Sequence, residues 1–176
     1  MLAYLTLAAL VGLAAAAAWW DVRERRIPNV LTVAGLAVAL LLRAPLGLGS
    51  LWMGLAGAGI ALLLSLVLFL AGGMGGGDVK LLAAVGAFLG PDRLWPALLV
   101  MALTGGVMAA WVILRRGAAP ETAANLKTLW ITFGRRTFTG WKGSESEAAL
   151  TLDTPGALTV PYGVAIAVGA VAAWFL

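Results

Sequence analysis

Two carboxylates stand apart from the other acids of this chain. Asp21 directly follows an apolar run at 2–20, and Asp78 directly follows residues 72–77, of which five are glycine. An acid at the edge of an apolar segment costs free energy unless something compensates it. At the centre of a bilayer the cost is about 2.5–3.5 kcal/mol, and it is smaller near the surface. A helix cap is the plain explanation. It suits Asp78, placed as an N-cap or first-turn acid of a helical segment, where the helix dipole favours negative charge. It does not suit Asp21, which closes one. Brought together, two carboxylates hold one proton between them. One then takes a proton from water, and the other, protonated, donates to a peptide carbonyl oxygen. That is aspartyl-protease chemistry. The remaining acids read as ordinary: Asp92 beside Pro91 as a turn former, Glu24 as a partner of the neighbouring arginines, and Glu121, Glu145, Glu147 and Asp153 as solvated loop charge.

The rest of the inventory narrows the chemistry. The chain has no histidine and no cysteine. Ser-His-Asp and Cys-His catalysis, disulfides and thiolate metal sites are therefore excluded. The 176 residues are 62% hydrophobic and 11% charged. Soluble domains carry about 25% charged residues, so this chain cannot cover a soluble surface. Nor is it disordered. Its net charge of +4 reads as membrane orientation rather than nucleic-acid binding.

A helix needs about 20 apolar residues to cross the hydrocarbon. Six segments approach this: 2–20, 28–42, 51–71, 78–89, 94–114 and 158–176, the second and fourth being short. The first ends in Trp19-Trp20, which suit an interface, and lacks the basic residues that precede the core of a signal peptide. Pro28 is placed to open the second, and Gly90-Pro91 to stop the fourth. With the N-terminus outside, the inner face holds Arg23, Arg25, Arg26, Lys80 and the basic residues from 115 to 142, whereas the outer face holds only Arg43 and Arg93. We therefore expect an all-α polytopic membrane protein, with six crossings, both ends outside and a single domain over 1–176. Its cytoplasmic loop spans about 115–157. Within it, Leu126, Leu129, Trp130 and Phe133 fall at helical spacing beside Lys127, Arg135 and Arg136, which fits a surface helix or a small soluble cap equally. Gly54, Gly57 and Gly59 suit close helix packing in lipid. Gly75 and Gly77 permit positive φ and close backbone approach. The run 72–77 is either a surface loop or the lining of a wet cavity, because unpaired backbone is not tolerated against lipid.

Three stretches resemble one family. Gly75-Gly76-Gly77-Asp78-Val79-Lys80 reads as GxGDxK, Asp21 precedes Arg26-Ile27-Pro28-Asn29, and Pro161-Tyr162-Gly163 opens a P-Y-G-x-A-I-A stretch. In this order, over essentially the whole chain, they resemble the type IV prepilin peptidases, which are GxGD intramembrane aspartyl peptidases. The resemblance implies that Asp21 and Asp78 are the catalytic pair. It also implies that Gly75, Gly77, Lys80, Pro161, Tyr162 and Gly163 shape the site. Lys80 falls roughly opposite Asp78 on a helix and is expected to snorkel to the inner interface. Tyr162 either faces the site or marks a kink. The implied substrate is a prepilin, pseudopilin or preflagellin with a short basic leader and a hydrophobic helix, cut at the inner face of the cytoplasmic membrane. Bifunctional members carry a cysteine-bearing insertion and methylate the mature pilin. This chain lacks both cysteine and insertion, so the resemblance is to the short, peptidase-only members, with no metal and no cofactor expected. Two other readings stay open on the residues alone. One is a proton-coupled carrier built on intramembrane carboxylates; the other is a non-catalytic assembly partner.

Overall fold

The computed structural model describes residues 1–70, 73–117 and 161–176, so the loop expectations for 118–157 lie outside the described residues. Every described element is helical. They are α1 (Leu2–Glu24), α2 (Asn29–Arg43), a 3-10 turn (Ala44–Leu46), α3 (Leu48–Leu70), α4 (Gly76–Arg116) and α5 (Tyr162–Phe175). Four segments are long and apolar enough to cross a membrane: Leu2–Glu24, Asn29–Leu46, Leu48–Leu70 and Gly76–Arg115. The 14-residue α5 is apolar but shorter. Large apolar side chains stand exposed, among them Leu63 at 65%, Val67 at 66% and Leu70 at 76% on α3. No soluble surface carries such a stripe, and lipid solvates it.

α4 is two helices joined at a break. Its 41 residues would reach about 60 Å if straight, twice the hydrocarbon thickness. Gly90 adopts φ 75°, ψ 176°, which is not helical, and Pro91 follows with no N–H to offer. This is the stop expected at Gly90-Pro91. The start lies two residues earlier than expected and leaves Asp78 as a first-turn acid, one of its two expected places. The helix opens at Gly76 with Gly75 as N-cap, so Asp78 lies inside the first turn and makes no cap hydrogen bond. Pro28 likewise is the N-cap of α2, not its first residue. Asp92 sits on the helix just past the break and not in a turn.

The first half of α4 is the hub. Every residue from 81 to 90 is buried. α3 and α2 pack against it, and α5 packs against α4 and α1. The α3–α4 contact is backbone on backbone: a Cβ on Gly57 would strike the Gly86 carbonyl, and one on Gly86 would strike the Gly57 carbonyl and lie 2.9 Å from the Ala61 Cβ. Gly54 is as confined, between Arg43 and the Ala87 carbonyl. Gly59, expected to pack with these two, has nothing within 4 Å and faces outward. Gly86→Val should lower stability by about 1–3 kcal/mol through overpacking. Thermal unfolding in detergent measures this, and an unchanged midpoint would mean that the two helices separate easily.

Arg43 closes the broken helix. The last carbonyls before Gly90 lack helical N–H donors and lie inside the bundle. Arg43 supplies the donors: Nε to the Ala87 carbonyl at 2.7 Å and Nη2 to the Phe88 carbonyl at 2.9 Å. Its Nη1 donates to the Ser50 carbonyl at 3.1 Å.

Candidate active site

Asp21 is 8% exposed in the last turn of α1. The chain leaves that helix through Arg25, whose φ of 53° is left-handed, and whose N–H returns to the Asp21 carbonyl. Ile27 then turns inward and is buried, and Pro28 starts α2. The Asp21 carboxylate faces the wrong end of its own helix. The compensation comes from another: the Gly163 N–H, in the first turn of α5, donates to Asp21 Oδ2 at 2.7 Å. A helix N-terminus offers free N–H groups and a positive dipole end, which suit an anion.

Asp78 is half-buried at the opening of α4. It and Asp21 line one open cleft of about 580 Å³, together with Ile27, Pro28, Asn29, Gly75 and Gly77. The two carboxylates are within electrostatic reach of each other. Three helices begin around them: α2 at Pro28, α4 at Gly75 and α5 at Pro161. Three positive dipole ends thus lie around the cleft the two acids line, an arrangement that offsets the cost of placing both there.

The glycines make this arrangement fit. A Cβ on Gly75 would lie 3.1 Å from Asp78 Oδ2, and one on Gly77 would lie 3.2 Å from the Ile27 Cβ. A Cβ on Gly163 would lie 2.8 Å from the Asp21 Cβ and 3.0 Å from its Oδ2. Close approach is their use. The alternative expectation, positive φ, does not hold for Gly75, whose φ is −77°, nor for Gly77.

Other expected site residues are placed around the cleft without lining it. Lys80 is exposed, and its Nζ donates to Asn29 Oδ1 at 2.8 Å, 51 residues away in the chain. That bond ties the GxGDxK segment to the Arg26-Ile27-Pro28-Asn29 segment. Pro161 caps α5, and Tyr162 packs toward α4, its ring 3.9 Å from a Cβ on Gly105. Arg25, Arg26 and Glu24 line the cleft and were not singled out from the sequence for that role. Their charge pattern reads equally as a solvated turn.

If the Lys80–Asn29 bond sets the cleft's shape, Lys80→Met and Asn29→Ala should each lower kcat/KM by several-fold, in keeping with about 0.5–1.5 kcal/mol for one hydrogen bond. The double variant should lose no more than either single one. Additive losses would show that the two side chains act separately.

A helical, multi-pass membrane protein with two carboxylates in one cleft at the start of several helices is the class that fold and site define. Within that class, residues 8–110 match the family model of the type IV leader peptidases, and the chain belongs to that family of membrane peptidases. The match contains Asp21 and Asp78. No curated protein and no solved structure matches the chain. The Pro161-Tyr162-Gly163 stretch lies beyond the matched residues, yet Gly163 reaches Asp21.

Proposed function

We propose that this protein is an aspartyl endopeptidase that removes the short basic leader from prepilin-like or preflagellin-like substrates at the cytoplasmic face of the cell's inner membrane. The observation that carries the reading is the shared cleft, which Asp21 and Asp78 both line between the two motif segments. Family membership supports it.

In this mechanism the pair carries one proton. The ionised carboxylate takes a proton from a cleft water as its oxygen attacks the scissile carbonyl carbon. The protonated carboxyl donates to the carbonyl oxygen, giving a neutral tetrahedral intermediate. On collapse the first carboxyl passes its proton to the leaving amine, and the second recovers its own. The reaction is the addition of one water across one amide bond. Gly163 holds Asp21, Gly75 and Gly77 give the room, and Lys80 joins the two segments. Pro161 and Tyr162 act at one remove, through the start of α5.

The same reading takes 1–176 as a single membrane-embedded peptidase domain. The chain crosses six times with both ends outside, and the break at Gly90 divides α4 into two of those crossings. It needs no metal and no cofactor, and carries out no methylation.

The test is co-expression with candidate prepilins, reading leader removal by gel shift and mass spectrometry. Cleavage by the wild-type protein that disappears in both Asp21→Asn and Asp78→Asn supports the proposal. Absence of cleavage of every candidate by folded, membrane-inserted protein would move the reading to a carrier or an assembly partner.

A further inference from the structure

A second cavity, of about 350 Å³, lies at the end of the bundle away from the aspartates. It is bounded by the start of α1, the end of α2, the break in α4 and the end of α5, with Arg43, Arg93 and Asp92 beside Leu2, Leu89 and Trp174. These helix ends belong at a membrane–water boundary.

Its two cations are held in different ways. Arg43 is pinned by the carbonyls of Ala87, Phe88 and Ser50, so it cannot swing out to water. Arg93 lies over the Trp174 ring at 4.9 Å, a cation–π contact that leaves its hydrogen-bonding fork free. Among the described residues Arg93 has no carboxylate partner, although Asp92 is adjacent in the chain. A planar fork of this kind matches phosphate oxygens. Much of the remaining lining is apolar. A free phosphate ion would leave it wet, whereas acyl chains would cover it.

We propose that this cavity seats the headgroup of a membrane glycerophospholipid, with its phosphate between Arg43 and Arg93 and its chains leaving over Leu2 and Leu46. The inference requires only that the chain lies in a bilayer; it does not depend on the peptidase reading.

Native mass spectrometry of the full-length protein tests it. Delipidated protein in detergent is titrated with phosphatidylglycerol, with phosphatidylethanolamine and, separately, with inorganic phosphate. Wild type should retain one lipid that survives washing. Arg93→Gln should weaken that binding roughly fivefold or more, the scale of one basic residue at a phosphate-bearing surface. Arg115→Gln, whose guanidinium stacks on Trp111 elsewhere on α4, should leave it unchanged. Thr6→Trp, which fills the cavity, should release the lipid without altering Arg93, and a thermal melt reports whether each variant is folded. Equal lipid retention in wild type, Arg93→Gln and Thr6→Trp would overturn the proposal. So would competition by millimolar inorganic phosphate, which would make the site one for the free anion.

Discussion

Asp78→Asn and Asp21→Asn should each reduce leader cleavage by roughly 10²–10⁴-fold, the range by which one positioned acid or base accelerates a reaction. Asparagine keeps the size and the hydrogen-bonding shape and removes only the proton chemistry. The protein should therefore insert and accumulate normally. Asp21 gives the sharper case. Its Oδ2 accepts from Gly163 at 2.7 Å, and the amide oxygen of Asn can accept the same bond. Loss of cleavage with unchanged stability would assign the effect to chemistry. Near-normal cleavage in either variant would remove the Asp pair from the mechanism.

The second large effect is expected at a residue with no side chain. Gly163→Val should cut cleavage by about a hundredfold, which is what misplacing a reacting group by roughly 1 Å costs. The new Cβ would stand 2.8 Å from the Asp21 Cβ and 3.1 Å from its Cγ, so the carboxylate must move. Gly163→Ala, with only the Cβ, should fall between valine and wild type. The loss should appear in kcat more than in KM, because the substrate's leader does not need Gly163 in order to bind. A loss confined to KM would mean that α5 shapes binding and does not set the position of Asp21.

The parts of this site that could be read from sequence are the parts that lie close together along the chain. The two aspartates, the glycines before Asp78 and the stop at Gly90-Pro91 are local patterns, and glycine and proline act on the residues beside them. What could not be read lies across long separations. The family resemblance put Gly163 and Asp21 in one site, but their direct hydrogen bond, across 142 residues, is written in neither segment. Arg43 read as a mere marker of the outer face, yet it bonds carbonyls 44 and 45 residues away. One signal was available. A helix stopped inside an apolar bundle leaves carbonyls that need donors, and Arg43 is one of only two basic residues assigned to that end. Gly59 misled for the opposite reason: a stripe of small residues shows a possible contact face, but not which of its members is used.

The lengths of the helices carry one more consequence. α1 and α3, at 23 residues each, reach about 35 Å and can cover a full bilayer. α5 and the 76–89 part of α4 reach only about 21 Å at 1.5 Å per residue, while α2 needs its 3-10 extension through Leu46 to reach further. Both of these short helices start at the cleft, so on the proposed six-crossing reading hydrophobic mismatch is concentrated around the aspartates. On that six-crossing reading, the bilayer thins there, or headgroups and water sink toward the carboxylates. On the same reading, the acyl-chain length of the surrounding lipid becomes a control on how deeply a peptide bond descends before it is cut.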